Sequence, residues 1–244
     1  EAGSVLLPRA TALIADLEDT RRSMSNLSGE VSGTLHLGIS HHLGLHRLPP
    51  LLKIFTEHFP AVALDIEFLG SEIAYQRVQA CSLEMAMTTL SEDQVEKVKA
   101  HKVWNDPMHF VIALTHPLAT KAPLSLSDLA QHGAILPELN TFTGTMTKAL
   151  FDKNNLPLKV TMNSNYLETI KMMVSIGLGW SVLPETLIEP PLQKIKVDSL
   201  TITRSLGAIY HQERTLSNAA SAFLKLVGSE PDKSDQKAEH TDQR

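Results

Sequence analysis

The sequence predicts an α/β fold of two lobes preceded by a long helix. Strand-like alternation and helical spacing take turns from Gly33 to Thr88 in the order β-α-β-α-β, a pattern that packs as a parallel sheet with helices on its faces. The same strand–turn–helix unit returns around Thr141 to Phe151, and a leucine stripe of heptad spacing precedes both.

The opening stripe runs through residues 4–28 as one helix, with Leu6, Leu13 and Leu27 in multiples of seven and Ala10, Leu17 and Met24 beside them. Pro8 suits a first turn or a kink, and Ser28-Gly29 a stop. The narrow stripe between polar runs favours pairing with a second copy over packing on its own domain. Thr34–Ser40 reads as a strand with Leu35, Leu37 and Ile39 on one face. One helix is predicted from His46 to His58, stopped by Pro60, then a strand over Ala63–Leu69, a helix over Glu72–Ala80 and a buried strand over Glu84–Thr88. Val103–Leu114 reads as two strands broken at Asn105-Asp106-Pro107. A short helix begins at Ser127-Asp128-Leu129, followed by a strand at Ala134–Leu136, a helix to Phe151 and a strand at Lys159–Met162. Asn163-Ser164-Asn165 is placed to cap a helix over Tyr166–Ile176, and Gly177 and Gly179 admit a buried strand over Trp180–Leu183. Strands at Ile195–Val197 and Thr201–Ile209 and a helix over Leu216–Val227 complete the order. Residues 229–244 are polar and carry no large apolar side chain, so they are expected to be a disordered tail.

Composition narrows the function. The 244 residues are 43% hydrophobic, enough for one or two domains with cores of their own. A net charge of −5 without a basic stripe argues against nucleic-acid binding by this chain itself. One cysteine, Cys81, excludes an internal disulfide and a cysteine zinc site. No apolar run is long enough to span a membrane, and no signal pattern opens the chain. Because it begins at Glu1 rather than Met, a longer parent protein is expected.

In this order the motifs resemble LysR-type transcriptional regulators over nearly the whole chain. EAGSVLLPRATALI is similar to the end of the family's DNA-binding domain and the start of its linker helix, and GTLHLGIS with LPPLLKIFTEHFPAVALDIEFLGS to the opening of its first effector-domain lobe. DPMHFVIALTHPLA resembles the crossing into the second lobe, and VSIGLGWSVLP the family's Gly-x-Gly-x-x-x-x-Pro segment. The resemblance implies two Rossmann-like lobes joined by two crossover strands, periplasmic-binding-protein-like (type 2). It sets a linker helix at 1–28, lobe I at 33–105 plus 206–228, and lobe II at 106–205. It further implies an effector held between the lobes, a homodimer or homotetramer, a cytoplasmic location, and promoter DNA bound through a winged helix-turn-helix outside this chain. Where the family usually carries Gly and then Asp before the third strand, Cys81 and Glu84 stand here.

The candidate effector residues begin with Ser40, His41 and His42, where a strand opens onto a helix and free N–H groups favour an anion. Gly70 and Ser71 occupy the next strand-to-helix turn, and resemblance makes them a second wall of the site. In the second lobe Thr141, Phe142 and Thr143 offer hydroxyls, amides and an aromatic face, with Tyr166 and Ser181 at a helix start and after the paired glycines. The two main turns hold no Arg or Lys, which points to a small monocarboxylate rather than a dianion. His41, His42 and His46 lack a nearby carboxylate or cysteine in sequence to complete a metal set, and no metal or cofactor is expected. The sequence pairs no nucleophile with a base, so an enzyme is not expected. An extracytoplasmic solute-binding protein for a small organic anion shares the architecture, but the pairing stripe of the first helix counts against it.

Overall fold

A computed structural model describes residues 1–121, 123–198 and 200–229. Apart from Ser229, the tail expected to be disordered lies outside the described residues. In chain order the elements begin with α1 (Ala2–Asn26), β1 (Gly33–Ile39), α2 (His41–His46), α3 (Leu48–His58), β2 (Val62–Phe68), α4 (Ser71–Gln79), β3 (Met85–Thr89) and β4 (Val98–Ala113). They continue with α5 (Leu126–Ala130), β5 (Ala134–Leu136), α6 (Phe142–Lys153), β6 (Val160–Asn163), α7 (Leu167–Ser175), β7 (Ser181–Pro184), β8 (Leu192–Ile195), β9 (Ile202–His211) and α8 (Asn218–Gly228). Among the described residues, 1–104 with 206–229 form one compact unit, and those between 105 and 205 the other. The chain passes from unit to unit within β4 and again at β9. Among the described residues no helix is long and apolar enough to cross a membrane.

In the first unit β1 lies between β2 and β3 and is parallel to both, while β9 closes antiparallel on β3. Alternation decides which face is buried. Leu35, Leu37 and Ile39 point into a core shared with Met85, Met87, Phe55 and Phe223. The Phe55 and Phe223 rings of α3 and α8 meet edge-on at 5.3 Å. Each such fully buried side chain contributes about 1.5–3 kcal/mol of transfer free energy.

The helix predicted over His46–His58 is found as α3 from Leu48, and the residues ahead of it, expected as a turn, form the short separate α2, with Arg47 at φ −116° between them. The physical reason is Pro49-Pro50. Prolines fit the first turn of α3, but without N–H groups they cannot continue the helix before it. His41 and His42 therefore lie inside α2 and not in a turn. Gly44 lets α2 approach β2, since a Cβ there would sit 2.3 Å from the Phe68 ring.

α1 touches its unit through polar groups. Arg22 Nε donates to the Thr215 carbonyl at 2.9 Å, Asn26 Nδ2 to that of Leu216, and Arg214 to Asp16. Its apolar stripe of Leu6, Leu13, Leu17, Met24 and Leu27 is exposed. Cys81 has φ +55°, in the left-handed region that favours glycine. Glu84 Oε1 accepts from the Ser217 N–H at 2.7 Å.

In the second unit β4 pairs antiparallel with β7 and β8, and β5 pairs in parallel with β6. The break expected at Asn105-Asp106-Pro107 does not occur, and β4 runs unbroken through it. The Asp106 carboxylate accepts from Arg204, far along the chain, which holds this stretch in the strand. Trp180 precedes β7 rather than opening it. Fully buried, it stacks on Phe151 at 5.5 Å, and its Nε1–H donates to the Leu129 carbonyl at 3.0 Å. Ser125 and Asp128 form a capping box on α5, which starts one residue ahead of the expected Ser127. The predicted cap of α7 is also moved. Tyr166 holds that place, and Asn165 instead accepts from the Glu138 N–H.

Burial lowers the pKa of His109, His116 and His211, with Lys194, His132 and Arg214 adding in the same direction. A histidine depressed in the folded state keeps its full contribution above the unfolded value of about 6.5, and loses it as pH falls toward the folded value. The urea midpoint is therefore expected to fall between about pH 7.5 and about pH 5.5. An unchanged or rising midpoint contradicts this assignment.

Candidate functional site

The carboxyl ends of β2, β1 and β3 gather polar groups on the first unit. The Ser40 N–H donates to the Met87 carbonyl at 2.9 Å, so the end of β1 is fastened to β3. Ser40 is the N-cap residue of α2 in extended conformation, and its hydroxyl makes no capping bond. One residue beyond Met87, Thr88 is fully buried, and its Oγ1 has no partner among the described residues. Leaving such a hydroxyl unmatched costs about 1–3 kcal/mol. The Leu69 N–H donates to the Ile39 carbonyl, which brings Gly70 and Ser71, at the start of α4, to the same sheet end. His41 is half-buried against the Phe68 ring at 5.2 Å, and His42 is buried with its ring 5.0 Å from that of His46. With six residues, α2 supplies a smaller dipole than the single helix expected there.

On the second unit the start of α6 is the polar centre. Thr141 caps it, accepting from the Gly144 N–H at 3.1 Å and donating to the Glu138 carbonyl at 2.7 Å. Its hydroxyl is thus engaged in holding the helix. Gly144 is required here, because a Cβ would lie 2.1 Å from the Glu138 carbonyl oxygen. Thr143 Oγ1 accepts from Arg204 Nη1 at 3.2 Å, and Arg204 Nε donates to Asp106 Oδ2 at 2.7 Å. Arg204 is 6% exposed and Asp106 1%. The remaining nitrogen, Nη2, has no partner among the described residues. Phe142 is half-buried beside Thr143, and Tyr166 is half-exposed at the start of α7. Ser181 is fully buried in β7, its Oγ likewise unmatched among the described residues.

The expected residues therefore fall into groups. Ser40, Gly70 and Ser71 share one sheet end with His41 and His42 on the adjoining α2, Thr141, Phe142 and Thr143 share one helix start, and Tyr166 and Ser181 stand on other elements. Sequence reasoning missed Thr88, Asp106 and Arg204. Arg204 carried a signal, because it alternates in phase with Leu206 and Ala208 on a buried strand. A cation in that register needs a buried partner.

Parallel strands ending at helix starts in an α/β unit, with the chain crossing between units on β4 and β9, define a periplasmic-binding-protein-like fold of type 2. The LysR substrate binding domain family matches residues 28–231, and the chain belongs to it: it is the regulatory, effector-binding domain of LysR-type transcriptional regulators. A probable RuBisCO transcriptional regulator of Phaeodactylum tricornutum is 24% identical over 233 residues, covering 91% of this chain and 76% of the relative. The C-terminal domain of a probable LysR family regulator from Rhodococcus superposes with a TM-score of 0.71 at 23% identity, over 82% of this chain and 100% of that one. The regulatory domain of CcmR from Synechocystis, solved in complex with 2-PG, gives 0.73 at 20% identity, over 81% and 97%.

Proposed function

We propose that this chain is the ligand-sensing part of a LysR-type DNA-binding regulator and that its effector is a small organic monocarboxylate. The observation that carries this reading is the meeting of Ser40, Ser71 and the unmatched Thr88 hydroxyl at the carboxyl ends of parallel strands, where α/β folds bind ligands. Hydroxyls, amides and imidazoles without a lysine suit one negative charge better than two. The proposed effector contacts are Ser40, His41, His42, Gly70, Ser71, Thr141, Phe142, Thr143, Tyr166 and Ser181. The similarity to a regulatory domain solved with 2-PG supports a small ligand. Lobe I comprises 33–105 and 206–228, and lobe II 106–205. The exposed stripe of α1 supports pairing with a second copy as a dimer or tetramer. Promoter DNA is engaged in the cytoplasm by a winged helix-turn-helix upstream of the linker.

A thermal-denaturation screen against small monocarboxylates tests the ligand class. Saturation near a hundredfold over Kd adds about 2.7 kcal/mol, which raises Tm by about 5–10 °C in a protein of this size. Ser40→Ala combined with Thr88→Val is expected to remove most of that rise while leaving the unliganded Tm within a few degrees. A panel in which only dianions or neutral compounds raise Tm contradicts the monocarboxylate assignment.

A further inference from the structure

We propose that Arg204, held by Asp106 and Thr143 at the start of α6, reads the carboxylate of the effector through its Nη2 nitrogen. This inference rests on the sensing role above and adds the charged residue that the turns themselves lack. The guanidinium has five donors in a rigid plane. Nε is committed to Asp106 at 2.7 Å and Nη1 to Thr143 Oγ1 at 3.2 Å, so the plane cannot rotate away from the helix. Nη2 is left buried without an acceptor among the described residues, on a side chain more than nine-tenths buried. Buried charged donors are rarely left unmatched, and those that are call for an ion, water or ligand.

The neighbourhood selects the acceptor. Thr143 belongs to the first turn of a twelve-residue helix, where N–H groups lack intrahelical acceptors and the dipole is positive. Of these, the Gly144 N–H is taken by Thr141 Oγ1, and the Thr145 N–H by the Thr141 carbonyl. Asp106 already neutralises Arg204, so the site offers one hydrogen-bonding cation in a neutral pair plus a helix terminus. That combination matches a single carboxylate and disfavours a phosphate dianion, which would face the Asp106 charge.

The test is an NMR titration of the full 244-residue chain with sodium acetate, with acetamide and sodium chloride as controls. Acetate is expected to produce saturable shifts at the Arg204 guanidinium and at the Thr143 and Gly144 amides, while neither control does. Arg204→Gln is expected to weaken acetate binding about tenfold or more, in line with the loss of a charge-assisted hydrogen bond. Should that variant fail to fold, the comparison of acetate with acetamide on the unmodified chain decides alone. No saturable shift at Arg204, or an equal response to acetamide or chloride, overturns the proposal and leaves a water as the occupant of Nη2. Acetate-specific shifts at Ser40 and Thr88 without any at Arg204 overturn it too, yet leave the sensing role intact.

Discussion

Asp106→Ala is expected to destabilise the protein by about 3–5 kcal/mol, the cost of stranding a buried charge. The carboxylate is 1% exposed and bonds a guanidinium that is 6% exposed, so water cannot replace it. Among the described residues, removing the acid leaves Arg204 with the Thr143 hydroxyl as its hydrogen-bond partner, at 3.2 Å. Asp106→Asn keeps an acceptor for Nε and should lose less. Replacing both residues by apolar ones of similar volume, Asp106→Leu with Arg204→Met, is expected to be close to neutral, because the desolvation of both charges disappears with them. Urea unfolding separates these cases. A loss below about 1 kcal/mol for Asp106→Ala would mean that water reaches the pair in solution.

Trp180→Ala is expected to cost about 3–5 kcal/mol, by emptying the centre of the second unit's core. The indole is fully buried, stacked on Phe151 and 5.9 Å from Phe110. Its removal also takes the Nε1–H donor from the Leu129 carbonyl, next to α5. Trp180→Phe keeps most of the apolar contact and loses that bond, so a cost of about 1–2 kcal/mol is expected. If the two substitutions cost the same, the hydrogen bond and not the packing dominates, and the reading of this core is wrong.

The sequence made the first unit legible because its signals are local. Leu35, Leu37 and Ile39 alternate on a strand whose inner face is a core, and the pattern needs no distant partner to be read. It misled where distant contacts override local preference. Asn105-Asp106-Pro107 is a turn signal in local sequence, but Arg204 holds the Asp106 carboxylate from a distant strand and β4 continues through it. The helix expected from His46 starts instead at Leu48, because Pro49-Pro50 suit a first turn and do not extend a helix. The site divides in the same way. Ser40, Gly70 and Thr141 are visible because a strand meets a helix there. Thr88 and Arg204 are defined by unmatched atoms, a property of the folded chain that no spacing displays.

Sensing requires that effector occupancy change how the regulator meets its DNA, since a ligand shifts an equilibrium only by its different affinity for two states. The most direct measurement is the affinity and footprint of the native gene product on its own promoter, with and without a saturating monocarboxylate found in the Tm screen. The sensing role predicts a change in affinity of about 5- to 150-fold, or a displaced footprint, that Ser40→Ala with Thr88→Val abolishes. An occupied protein with unchanged affinity and unchanged footprint contradicts it.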